Sequence, residues 1–345
     1  AALLADRGKH VGLDHFQRDL PAHVVVYYAI ALALYMQSSY REVLRCLLEG
    51  LQWLMDPALT VRVTGNSGIS QARTRLGWEP MRQLHDEVVK PIAVASTRGA
   101  WYGQWRLVSL DGSTMDVADE KTNDEVFGRP GSSRGSSAFP KLRFVSLVED
   151  GTHVLFGTRM SPYATGENTL AKEVVGALDS GMLCLADRGF FAYEMWQRAL
   201  ATQAQLLWRV KANAALPCDK RLADGSYLSR IYPCDKDKRL QTNATAEELA
   251  ALYHDRWEIE TALDELKTHL RGANIVLRSK TPDLVRQEFY GLLMAHFAVR
   301  ALMHEAALKA DVDCDTLSFI HAVRVVRRKL PAFNAIPPCA EEGVP

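Results

Sequence analysis

The sequence predicts an α/β protein: a mixed sheet flanked by helices, with a helical segment in front of it. Three observations lead there. From Trp101 the pattern changes from helical spacing to short apolar runs that alternate with helical stretches. Two of those runs end directly in an aspartate, at Asp111 and Asp187. Last comes a long helical window without Pro or Gly, Tyr253 to Arg271 (YHDRWEIETALDELKTHLR).

The strand order can be read element by element. Trp105 to Leu110 reads as a strand that stops at Asp111-Gly112-Ser113. Residues 119 to 141, rich in Gly, Ser, Arg and Lys, read as a loop. Leu142 to Val148 and His153 to Met160 flank Glu149-Asp150-Gly151, a hairpin signal. Asn168 to Leu178 is helical, Met182 to Ala186 is a continuous apolar strand, Tyr193 to Thr202 is helical and Gln205 to Val210 is a strand. Three antiparallel strands, then helix, strand, helix, strand and the long helix, form the element order of an RNase H-like α/β domain. Residues 212 to 245 interrupt it, with a small hairpin expected around Ala223 to Ser226. One or two apolar helices follow over Thr281 to Leu302, then a basic helix end at Val323 to Lys329. The tail, with Pro337-Pro338, is expected to be disordered.

The first hundred residues are helical. Pro21 opens a helix that runs to Met36, since its missing N–H costs little at that position. Ser38 or Ser39 caps the next. Ile69 to Leu76 is a short helix ended by Gly77, and Pro80 opens another from Met81 to Val89. Short helices with Ser70, Gln71, Arg73 and Arg75 on one of them suit a helix-turn-helix-like DNA reader. A plain helical bundle with a polar surface fits the same residues.

Composition excludes several classes. With 345 residues, 48 % hydrophobic and 24 % charged, the chain has the make-up of a soluble globular protein of two or three domains. The 41 basic and 41 acidic residues cancel, so any nucleic-acid surface must be local and offset elsewhere. The longest apolar run, Val24 to Met36, falls short of the roughly 20 residues of a membrane span. The first residue is Ala, so the natural start is expected to be missing or processed. Six scattered cysteines without a CxxC pair argue against zinc and for reduced thiols, as in a cytosolic protein.

The long helix carries the unusual polarity. Leu252, Ile259, Leu263, Leu266 and Leu270 make its apolar face, while Tyr253, Arg256, Glu260, Lys267 and Arg271 fall at offsets of 3, 4, 7 and 4. At about 100° per residue these share one stripe. Such a stripe suits a metal ligand flanked by phosphate contacts, and it also suits a salt-bridged surface. Asp264 is a weaker rival to Glu260. Asp111, Asp187 and Glu260 together would be three carboxylates that repel unless a divalent cation lies between them. Oxygen donors suit Mg2+, and two such ions about 3.5–4 Å apart serve phosphodiester displacement. Arg188 and Lys211, each beside a strand end, could touch DNA. Trp208 could stack on a base or fill the core.

The segments LVSLDGST around Asp111, LADRGFF around Asp187 and Tyr253-x2-Arg256-x3-Glu260-x6-Lys267 resemble transposases of the insertion sequence 4 family, the DDE class. The resemblance extends to DLPAHVVVYYAIALALY and ISQARTRLG. It implies an RNase H-like core, terminal inverted repeats and target DNA as double-stranded partners, and cut-and-paste movement with hydrolysis followed by attack of the freed 3′ hydroxyl. Asp111, Asp187 and Glu260 would hold Mg2+, with Mn2+ able to substitute. Tyr253, Arg256 and Lys267 would grip phosphates. Arg271, Arg188, Lys211, Arg73 and Arg75 complete the expected nucleic-acid contacts. A homodimer on DNA, no membrane, and a bacterial, cytoplasmic, nucleoid-associated location follow. The expected organisation is a helical DNA-end domain at 1–100, the first part of the core at 101–212, a shortened insertion at 213–245, the catalytic helix and the rest of the core at 246–305, and a C-terminal helix and tail at 306–345. The family usually inserts a larger β-rich segment before the long helix, so sequence is expected to be missing near Arg239 and Leu240. That departure keeps an alternative open, a catalytically impaired DNA-binding descendant. A non-transposing RNase H-like nuclease is a third reading.

Overall fold

The computed structural model describes residues 20–55, 65–132, 135–210, 216, 218–223, 225–229, 257–269 and 276–329. Four helices come first: α1 (Ala22–Leu34), α2 (Tyr40–Met55), α3 (Asn66–Leu76) and α4 (Glu79–Val88). Their ends follow local chemistry. The Ser39 hydroxyl accepts the Glu42 N–H at 3.2 Å and caps α2. Gly77 takes φ +73°, which only glycine adopts without strain, and ends α3. α1 buries Val24, Val25, Val26, Tyr28, Ala29, Ala31, Leu32, Ala33 and Leu34, nearly its whole circumference, so it is an internal helix.

The strands follow: β1 (Trp101–Tyr102), β2 (Trp105–Asp116), the short β3 (Gly131–Ser132) and β4 (Gly135–Ser136), β5 (Lys141–Glu149), β6 (Val154–Pro162), β7 (Met182–Ala186) and β8 (Gln205–Trp208). The main sheet runs β6-β5-β2-β7-β8, with β1 beside the start of β2. β6, β5 and β2 are antiparallel, and β2, β7 and β8 are parallel. Helices α6 (Glu167–Val174) and α7 (Tyr193–Leu200) connect the later strands. This is the RNase H-like α/β core that the element order predicts.

Two local expectations change. The first strand does not stop at Leu110 but continues to Asp116, because β5 pairs with it all the way from Val108↔Glu149 to Asp116↔Lys141. The stretch 119–141 is not all loop: it holds helix α5 (Lys121–Phe127) and the β3–β4 hairpin. Phe127 supplies a buried anchor for α5, and Asn123 Nδ2 donates to the carbonyls of Ala118 and Ser279 at 3.1 Å. The region after Thr281 is a single helix, labelled α9 below. The expected hairpin near Ala223 exists, as β9 (Cys218–Arg221) against β10 (Tyr227–Ser229), with Gly225 at φ +92°.

Helix α8 (Trp257–Asp264) passes into a π turn over Glu265–His269. Helix α9 (Pro282–Ala310) then crosses the molecule, and α10 (Phe319–Lys329) closes it. α9 packs along α1, most closely at Gly291, where an added Cβ would press into the Ala29 carbonyl. Buried side chains of α1–α4, the sheet and α9 form one continuous apolar cluster, so the leading helices share their core with the sheet. Trp208 belongs to that core, 6 % exposed and edge-on to Trp196. Burial among its neighbours pushes the Cys184 thiol up to about 12, which makes it an inert core residue. No helix among the described residues is long and apolar enough to cross a membrane.

Candidate active site

The site begins with strand register. β2 and β7 run parallel with Leu110 opposite Ala186, and β7 and β8 run parallel with Ala186 opposite Trp208. One residue further along each strand stand Asp111, Asp187 and Arg209, side by side across three neighbouring strands. Adjacent strands lie about 4.8 Å apart, so the two carboxylates come from next-door backbone positions. β7 ends at Ala186 while β2 continues along β5, which opens the sheet on one side from Asp111 onward. Ligands bind at the carboxyl ends of strands in such sheets.

The surroundings tune this pair. Asp111 Oδ1 accepts the Gly112 N–H at 2.8 Å, which fixes the carboxylate orientation. Asp187 is 35 % exposed, and Arg209 Nη1 stands 4.0 Å from its Oδ1. Arg209 is the residue that sequence reading missed. Its signal was available: it follows β8 directly, as Asp187 follows β7. Asn168, at the start of α6, donates to the Gly189 carbonyl at 3.0 Å and ties down the Asp187 loop. The neighbouring Glu167 carboxylate lies against Gly112, where an added side chain would have to displace it.

Helix α8 packs against β2. Ile259, Ala262, Leu263 and Leu266 are buried beneath it, and Glu260 is exposed. Lys267 Nζ donates to Ser113 Oγ at 2.9 Å, so the cation seven residues beyond Glu260 reaches the strand two residues past Asp111. Residues two apart on a strand share a face, which puts Lys267 on the Asp111 side of β2. The single-stripe expectation for Glu260 and Lys267 needs correction, because the π turn between them breaks the uniform 100° advance. Asp264 accepts from Thr268 at 2.8 Å and faces solvent. Among the described residues no three His, Cys, Asp or Glu side chains gather closely enough to hold a metal ion.

Arg73 also changes role. It is 3 % exposed, and its guanidinium donates to Gln287 Oε1 at 2.7 Å and to Ser279 Oγ and the Leu284 carbonyl at 3.0 Å. It clamps α3 to the core and cannot face DNA, since its donors are spent inside the protein. Arg75 and Arg188 are exposed. Tyr253, Arg256, Arg271 and Lys211 lie outside the described residues, as does the junction at Arg239 and Leu240.

Known proteins resemble this chain. A family model for the transposase DDE domain matches residues 103–298, and one for the insertion element 4 transposase N-terminal region matches residues 12–86. Fold and family models together define the class: a DNA transposase on an RNase H-like core, hence a nuclease and transferase. The chain belongs to the insertion sequence 4 family of DDE transposases. It is 24 % identical over 359 residues to transposase InsG for insertion sequence element IS4 of Escherichia coli (strain K12), covering 93 % of this chain and 79 % of that protein. It is also 24 % identical over 187 residues to the putative transposase InsZ of the same organism, covering 52 % of this chain and 57 % of that one. A solved structure of the piggyBac transposase synaptic complex with hairpin DNA superposes with a TM-score of 0.46 and 12 % identity, over 96 % of this chain and 76 % of that one. That likeness is too distant to carry an argument. DDE domains work with divalent metal, and two half-exposed carboxylates on adjacent strands are donors that fit such an ion.

Proposed function

We propose that this transposase cuts at the inverted-repeat ends of its element and joins the freed 3′ hydroxyl to target DNA, with Asp111, Asp187 and Glu260 as its acidic residues. The observation that supports the reading is the register of β2 against β7, which brings Asp111 level with Asp187 where β7 ends. Lys267, which follows α8 in the chain, reaches the Asp111 strand, and this supports placing Glu260 on the aspartate side of the sheet. Mg2+ is the proposed ion, with Mn2+ able to replace it, and it would supply charge neutralisation at the scissile phosphate and activation of the attacking oxygen. Lys267, with Tyr253 and Arg256, grips phosphates near the cleaved end. Arg188, Lys211 and Arg271 extend the contact. Arg209, beside Asp187, limits repulsion between the aspartates before DNA arrives.

The helices before residue 100, with Arg75 exposed on α3, are proposed to recognise the DNA end, and 213–245 to be a shortened insertion. The alignment to the InsG transposase is longer than this chain, which supports residues being missing somewhere relative to that protein. Cutting two ends together calls for a homodimer on DNA, in the cytoplasm and at the nucleoid. The test is nicking of a plasmid that bears the cognate ends. Nicking should require Mg2+ or Mn2+ and vanish in Asp187→Ala. Metal-independent nicking, or full activity in that variant, would sink the proposal.

A further inference from the structure

The π turn at Glu265–His269 continues the helix that carries Glu260, and its first residue is unusual. Glu265 is 5 % exposed, although a carboxylate is rarely buried without a partner. Arg300 on α9, 1 % exposed, donates Nε to Glu265 Oε2 at 2.8 Å and a second N–H to Oε1. His153, from the β5–β6 turn, bonds the same guanidinium and stands 3.6 Å from Glu265. His296 Nε2 lies 3.4 Å from the carboxylate, and Asp315 Oδ1 lies 3.4 Å from the far nitrogen of His153. Side chains from α9 and the β5–β6 turn thus converge on one carboxylate, with Asp315 behind His153. A buried ion pair adds little net stability over an apolar pair, but it fixes geometry firmly. π turns are rare and occur frequently at functional sites.

The constraint has a consequence seven residues after Glu260. A continuous α-helix would carry Lys267 on the line of Glu260, whereas the π turn sets it back, and its ammonium meets Ser113 on β2. We propose that Glu265 is a positioning residue: pinned to Arg300, it holds the π turn that delivers Lys267 to Ser113 beside Asp111. This rests on the reading of Lys267 as a phosphate contact.

The test uses the full chain with Glu265→Gln, the double change Glu265→Leu/Arg300→Leu, and Lys267→Ala. The rate at which an amine-acylating reagent labels Lys267 is measured by mass spectrometry, with Lys309 as internal reference. Plasmid-end nicking is measured in parallel, with kcat and KM separated. Labelling of Lys267 should rise about tenfold in both Glu265 variants, and nicking should fall about ten- to a hundredfold, mainly in kcat. Adding Lys267→Ala to Glu265→Gln should cost nothing further, because both changes remove one effect. Where Glu265→Gln loses cooperative unfolding, the double change carries the measurement, since it leaves no charge unpaired. Unchanged labelling in a folded variant, or losses that multiply, overturns the inference. Raised labelling together with full nicking by Lys267→Ala leaves the positioning intact and defeats only the phosphate reading.

Discussion

Asp187 and Arg73 show how differently two polar residues of one chain can be spent. Asp187 stands half-exposed at an open strand end, so Asp187→Asn keeps the shape and removes the charge. Nicking should fall more than about 100-fold, beyond the range for residues that merely support a ligand. End-DNA binding, followed by gel shift, should survive. Arg73 is sealed against Gln287, Ser279 and Leu284. Arg73→Ala strands Gln287 Oε1 in the core, and urea unfolding should show a loss of about 2–4 kcal/mol, given roughly 1.5–3 kcal/mol for a charged hydrogen bond. Arg75→Ala should unfold within about 0.5 kcal/mol of the parent. Both arginines looked alike in the sequence, because a helix of unknown neighbours does not reveal which face is covered.

Two elements set the frame in which these residues act. α1 and α9 touch backbone to backbone at Gly291, where a methyl group would strike the Ala29 carbonyl. Backbone cannot swing aside as a side chain can. Gly291→Ala should therefore force the helices apart and lower stability by about 1–3 kcal/mol in thermal unfolding. The strand lengths and the helix order were legible from apolar runs and turn residues, and Met182–Ala186 falls where the pattern puts it. The continuation of β2 past Asp111 was not, because Gly112 and Ser113 lack strand character of their own. β5 supplies it by pairing. The π turn was equally hidden, since Arg300, the partner of its first residue, lies 35 residues further along the chain.

Across the whole molecule the Glu265 network ties α8, α9 and the β5–β6 turn together, and it makes stability depend on pH. Burial by itself would raise the Glu265 carboxyl, but His153, His296 and the Arg300 charge outweigh it and hold it well below the usual carboxylate range. A lowered carboxyl stabilises the fold above its unfolded value of about 4.3, and that stability drains away as pH falls further. Burial also lowers the His296 imidazole, so the unfolded chain binds that proton first below about pH 6.5. Both signs agree: unfolding free energy should decline as pH drops from 6.5, and more steeply below about 4. In Glu265→Leu/Arg300→Leu the steep acid limb should flatten, which denaturant titration at several pH values would show. With paired end duplexes, light scattering should report two chains per complex.

The sequence by itself determined most of the element order, the buried α1, the two aspartates that follow apolar runs and the family, because periodicity and short motifs are local properties. Tertiary structure decided which of those residues meet. Parallel register placed Asp111, Asp187 and Arg209 on one level, docking on α9 drew Arg73 inside, and a buried ion pair turned Lys267 toward Ser113. Each of these depends on contacts between distant parts of the chain, and such contacts leave no trace in local spacing.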